Sequence, residues 1–235
     1  MKKILLLGMA VFVLASCSKD FIELTPPSNL NNTAFYKTQQ DINQATLSAY
    51  ASLRELYNGR YCRLGEIRSD NTTYSWLAGN PANEKGVDEF ASPLLPENNF
   101  LMDCWDDSYN TILRCNLVLG RSDGATFTDE SLRNQYKAEA SFIRASTYFW
   151  LNRVFGGIGL NGELLGVIKV DKELTPDEAY QLGRAPLEEI YNLIISDLQF
   201  AETNLPESYG GGDRGRVSKA AATALLGKVY MTMAG

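Results

Sequence analysis

Between Pro186 and Pro206 the apolar residues Leu187, Ile190, Tyr191, Ile194, Leu198, Ala201 and Leu205 recur at steps of three and four. That period lays them on one face of an α-helix, with Pro186 suited to the first helical position and Pro206 closing the run. The same pattern recurs along the chain. Thr38 with Asp41 three residues on forms a capping box, and Ile42, Ala45, Ala49, Leu53 and Leu56 follow until Asn58-Gly59 stops the helix. A second segment, roughly Asp103 to Leu119, puts Trp105, Tyr109, Ile112 and Leu119 on one side and ends at Gly120. Thr128 opens a third helix, carrying Leu132, Tyr136, Ala140, Ile143, Tyr148 and Leu151, and Phe155-Gly156-Gly157 breaks it. Ser218 caps an alanine-rich fifth helix. Strand signals are confined to short pieces such as Val167 to Val170, so the fold class is all-α.

Lys137, Ala138, Ala140, Ala145 and Tyr148 align with Lys219, Ala220, Ala222, Gly227 and Tyr230 at a constant offset of 82 residues. Small residues at these steps let a neighbouring helix approach closely, as in stacked tetratricopeptide-like hairpins. The offset exceeds two ~34-residue units and so implies long loop insertions. The alternative is chance similarity between two alanine-bearing amphipathic helices.

The N-terminus carries a different signal. Lys2 and Lys3 precede an uncharged apolar run, Ile4 to Ala15, which is too short to span a membrane and has the layout of a secretory leader. Leu14-Ala15-Ser16-Cys17 looks like a bacterial lipobox. Residues 1–16 are therefore read as a lipoprotein signal peptide. Cleavage leaves Cys17 as the first residue, its thiol carrying diacylglycerol and its amine an acyl (palmitate-type) chain, and several chains anchor stably where one does not. Ser18-Lys19-Asp20 resembles the acidic export tags of Bacteroidetes surface lipoproteins, which favours display outward from the outer membrane. Residues 17–37, with Pro26, Pro27 and a run of Asn, read as a lipidated tether.

Loss of the leader removes two of the 22 basic residues, leaving 20 against 28 acidic ones and a formal charge of −8. An acidic chain of this kind argues against nucleic acid, which needs clustered Lys and Arg. The chain has no histidine, which excludes imidazole-based nucleophiles and histidine metal ligands; no metal site or cofactor is expected. Cys62, Cys104 and Cys115 remain after Cys17. On one helix Cys104 and Cys115 would stand about 16 Å apart, too far for a disulfide, so they read as small buried hydrophobes.

Two motifs invite other functions. Gly157 to Gly162 satisfies G-x-G-x-x-G, but a helix precedes it and the strand-like Val167 to Val170 follows, the reverse of a dinucleotide site. Asp88-Glu89 and Asp106-Asp107 are sequence neighbours, pointing about 100° apart on a helix, and suit a solvated face better than a glycosidase pair. No enzymatic activity is expected.

Taken in order, the lipobox, "DINQATLSAYASL", "RSDN" at 68–71, "WDDSYNTILRCNLVL", "AEASFIRASTYFWLNRVFGGI", "APLEEIYNLIISDLQFAETNLP" and "GRVSKAAATALLGKVYMTMAG" resemble the N-terminal half of the SusD/RagB family of outer-membrane nutrient-binding lipoproteins. The resemblance implies a tetratricopeptide-like scaffold over residues 38–235 that lids a SusC-like TonB-dependent transporter, binds glycans or peptides and delivers them without chemistry. The chain departs from the family pattern at Gly159, where proline is usual, and stops inside its fifth helix, so it reads as truncated at its C-terminus. A helical-repeat scaffold lipoprotein binding proteins at the outer membrane is the alternative.

Residues 58–104 form a long stretch rich in Asn, Pro, Gly and aromatics, of a length that usually carries function. Tyr74 and Trp76 suit stacking on a sugar ring, with Asp70 and Asn71 bonding its hydroxyls. Such aromatics also serve simply to pin a long excursion to the body. The resemblance places "RSDN" near the family's ligand face.

Overall fold

A computed structural model of the protein describes residues 35–66, 69, 71–72 and 98–235. The leader, the tether and most of the stretch between residues 67 and 97 lie outside the described residues. Helix α1 (Gln39–Glu55) begins as the sequence requires: Thr38 Oγ1 accepts the Asp41 N–H at 3.2 Å, and Asp41 Oδ2 accepts the Thr38 N–H at 2.9 Å. The expected stop at Asn58-Gly59 is not made. The chain winds on through a π turn, Leu56–Arg60, into α2 (Tyr61–Glu66). Packing overrides the turn signal here, because Leu56, Tyr61 and Leu64 are all buried in one cluster with Phe100 and Cys104.

Helix α3 (Asn99–Arg121) starts four residues before the expected Asp103, because Asn98 Oδ1 accepts the N–H groups of Phe100 (3.1 Å) and Leu101 (3.3 Å). Gly120 lies within the helix and does not end it. Cys104 and Cys115 share this helix as free, fully buried thiols. Burial pushes the Cys104 thiol up to about 11 and Cys115 higher still, so both stay neutral at physiological pH.

Helix α4 (Glu130–Phe155), capped by Asp129, is the centre of the array; α3 packs on one side of it, and α6 makes its widest contact on the other. Among the described residues, strands are limited to one small antiparallel sheet, β1 (Gly157–Ile158), β2 (Leu164–Ile168) and β3 (Arg184–Pro186), in the order β1-β2-β3. The G-x-G-x-x-G segment is the hairpin between β1 and β2, turning at Gly162 with φ +86°. No helix follows it. A short helix, α5 (Pro176–Tyr180), carries a capping box from Thr175 and Glu178 that sequence reading passed over.

Pro186 ends β3 and serves as the N-cap of α6 (Leu187–Asn204) rather than as its first residue. Ile190, Ile194, Leu198 and Ala201 are fully buried along the predicted stripe. Helix α7 (Lys219–Ala234) packs back on α6. The architecture is all-α and tetratricopeptide-like, with α1 packed against both α3 and α4. The sequence echo maps onto equivalent helices, but its burial differs. Ala138, Ala140, Ala145 and Tyr148 are fully buried in α4, whereas in α7 Ala222 is buried and Gly227 and Tyr230 are exposed.

Candidate functional site

Of the residues expected to bind ligand, Asn71 is described; Cys17, Asp70, Tyr74 and Trp76 lie outside the described residues. Asn71 is exposed in a short turn, where its N–H donates to Ser69 Oγ at 3.4 Å. The hydroxyls of Ser69 and Thr72 both donate to the Glu66 carbonyl and so close the end of α2.

The helices that flank residues 67–97 are firmly held. Arg60 reaches Asp103 and Asp107 at 3.1 Å each, joining the π turn to the first turns of α3. Tyr61 stacks on Trp150 of α4 at 4.9 Å between centroids, and its hydroxyl lies 3.2 Å from Ser108 Oγ. The Arg60 and Arg63 guanidinium groups each lie 5.8 Å from the Phe100 ring. Asp107, expected on a solvated face, is thus engaged with Arg60. Asp103 and Asp107 share a helix face at i, i+4, but their partner Arg60 lies 47 residues before Asp107, so sequence did not reveal the pair.

A second arrangement was not anticipated. After β2 the chain runs across the groove formed by α3, α4 and α6, and helix side chains bind its backbone. Tyr109 donates to the Ile168 carbonyl at 2.8 Å, while Tyr148 accepts the Val170 N–H at 2.7 Å. Asn116 Nδ2 donates to the carbonyls of Val170 (2.9 Å) and Lys172 (3.2 Å). Arg144 donates to the Asp171 carbonyl at 2.9 Å and to Asn116 Oδ1 at 2.6 Å. Its other edge forms a two-point pair with Asp197 of α6, at 2.8 and 2.7 Å, with both side chains only 8% exposed. Burial works to lower the Arg144 pKa, but the hydrogen bonds and charge of Asp197 outweigh it and hold the guanidinium above its ordinary range. Beyond this strap the groove opens into a cleft of about 410 Å³ between the C-terminal end of α3, α4 and α6.

Chemically, these arrangements hold and position. Among the described residues no group of three Cys, Asp or Glu side chains is placed to hold a metal ion. The fully buried Cys115 packs beside the Arg144–Asp197 pair as a neutral thiol.

Residues 20–231 match the SusD-like family model described as "starch-binding associating with outer membrane". The chain belongs to the SusD-like family. It is 28% identical over 230 residues to SusD-like protein P25 of Formosa agariphila, covering 94% of this chain and 42% of that protein. Among solved structures it resembles a laminarin-binding SusD-like protein, with TM-score 0.69, 26% identity, and coverage of 84% of this chain and 41% of the other. It also resembles surface glycan-binding protein A of Bacteroides uniformis, with TM-score 0.67, 25% identity, and coverage of 83% and 42%. The chain thus spans about two-fifths of the length of these SusD-like relatives. Among the described residues no helix is long and apolar enough to cross a membrane.

Proposed function

We propose that the chain forms the helical part of a surface-exposed outer-membrane lipoprotein that captures oligosaccharides and delivers them to a SusC-like TonB-dependent transporter, by binding alone. The observation that carries this reading is the match of residues 20–231 to a starch-binding, outer-membrane-associated family. Likeness to a laminarin-binding protein and to a surface glycan-binding protein supports a glycan as the ligand class. In this reading Trp76 and Tyr74 supply the stacking surface, and Asp70 and Asn71 the polar contacts. Helices α2 and α3 on either side are pinned by Tyr61 and Arg60, which lowers the ordering cost when ligand binds. Cys17 holds the protein to the membrane through its acyl chains.

Calorimetry of the whole protein with laminarin and starch oligosaccharides tests the function. Saturable heat with one of them is expected, weakened about tenfold or more by Trp76→Ala, a loss of about 1.4 kcal/mol. A flat titration with every glycan would overturn the binding assignment, and unchanged affinity in the variant would remove Trp76 from it. Cys17→Ser is expected to move the protein from the membrane pellet to the soluble fraction. A variant still found in the pellet would contradict the lipid anchor.

A further inference from the structure

The sequence holds two Asn-Gly steps, Asn58-Gly59 and Asn161-Gly162. Both asparagines are exposed, but their backbones differ. Asn58 lies inside the π turn Leu56–Arg60, whose Leu56 is buried together with Tyr61, and Arg60 ties the turn to Asp103 and Asp107. Helical backbone carries each N–H back along the axis, away from the side chain just before it. Asn161 stands instead at the tip of the β1–β2 hairpin. There the Gly159 N–H donates to the Glu163 carbonyl at 2.7 Å, and the Gly162 N–H donates to the Gly159 carbonyl at 3.1 Å. The Gly162 nitrogen is thus held by an exposed turn bond. Gly162 has φ +86°, and a Cβ built on it would meet nothing within 4 Å, so no side chain shields that nitrogen.

We propose that Asn161 is a site of spontaneous deamidation, and that Glu163 is the positioning residue that sets its rate. When the turn opens, the Gly162 nitrogen gives its proton to solvent hydroxide and attacks Asn161 Cγ. The new N–Cγ bond closes a five-membered succinimide, the Cγ–Nδ2 bond breaks, and Nδ2 leaves as ammonia with a proton from water. Water then adds to one of the two ring carbonyls. Addition at Cγ gives aspartate, and addition at the main-chain carbon gives isoaspartate; in either case the Gly162 nitrogen regains its proton. Glu163 acts on the opening step. Its Oε2 accepts the Asn161 N–H at 3.0 Å, and the side chain folds over the turn so closely that a Cβ at Gly159 would meet Oε1 at 2.5 Å. This latch keeps the turn in the form whose Gly162 N–H points at Gly159 rather than at Cγ. Either product puts a second carboxylate beside that of Glu163, and like charges push the latch away. The charge enters a hairpin that turns Ile158, Leu160 and Leu164 to solvent.

The test is to incubate the whole protein at mildly alkaline pH, digest it at intervals and map the peptides by mass spectrometry, with ammonia release followed in parallel. The mass gain of amide-to-acid conversion, with isoaspartate among the products, is expected at Asn161. It should proceed roughly tenfold or more faster than at Asn58, because a hairpin tip opens more readily than a packed helical turn. In urea the two steps should convert at similar rates. Glu163→Ala should speed conversion at Asn161 severalfold in the folded protein and leave the rate in urea unchanged, while Glu163→Gln, which keeps an acceptor, should restore most of the protection. Equal rates at Asn58 and Asn161 in the folded protein, or an Asn161 that stays intact when folded yet converts in urea, would overturn the site. A folded Glu163→Ala variant that converts no faster than the parent would overturn the latch.

Discussion

Replacing Arg144 by alanine is expected to cost about 3–5 kcal/mol of folding stability, because it leaves the Asp197 carboxylate buried without its partner. The guanidinium bonds Asp197 at two points, fixes Asn116 and holds the Asp171 carbonyl, so its loss also frees the strap that follows β2. Against a typical total of roughly 5–15 kcal/mol, such a loss leaves much of the protein unfolded near 37 °C. Urea titration followed by circular dichroism measures it. The double variant Arg144→Met with Asp197→Leu is expected to recover most of the loss, since an apolar pair removes the stranded charge. A single variant within 1 kcal/mol of the parent would show that the pair contributes little.

The second large effect is expected at the other buried acid. Glu139 of α4 is wholly buried and accepts from Arg216 at 2.9 Å, Gln135 at 3.0 Å and Tyr209 at 3.3 Å. Arg216 also bonds Asp213 and Asn43, each at 2.7 Å, so one side chain pins the glycine-rich connector before α7 to both α4 and α1. Arg216→Ala removes the cation paired with Glu139 and is expected to cost about 3 kcal/mol. The loss should appear locally first. Proteolysis around Gly210 to Gly215 should accelerate, and amides of α7 should lose exchange protection while those of α3 keep theirs. Arg216→Lys retains the charge but not the planar fork, and is expected to recover only part of the protection. Uniform loss of protection across all helices would contradict a local role.

The helices themselves were legible because each buries one stripe, and a stripe is a local property of sequence. Their ends were less so. Asn58-Gly59 reads as a terminator on its own, yet the need to bury Tyr61 against Trp150 and Phe100 carries the chain through it. Asn98 was obscured as a cap by its neighbour Asn99, and Pro186 was shared between a strand and a helix. The two buried ion pairs were not legible at all. Arg144 and Asp197 stand 53 residues apart, Glu139 and Arg216 stand 77 apart, and a charge on an amphipathic helix reads as solvent-facing until its partner is known. The strap was likewise hidden, since Tyr109 and Tyr148 read as members of apolar stripes rather than as partners for a backbone. For the candidate glycan contacts, composition pointed to a stretch, and the pinned helices beside it emerged only with the fold.

The tie between α1 and the connector sets the order in which the molecule can become whole. The Tyr50 hydroxyl accepts the Val217 N–H at 3.0 Å, and Asn43 accepts from Arg216, so partners lie 167 and 173 residues apart. In an open stack each unit leans only on its neighbours, and assembly proceeds as the chain emerges. Here α1 waits for a segment that follows it by more than 160 residues. Helix α1 must therefore stay incompletely secured until residues 216 and 217 have followed it, a window in which a holding chaperone has most to protect.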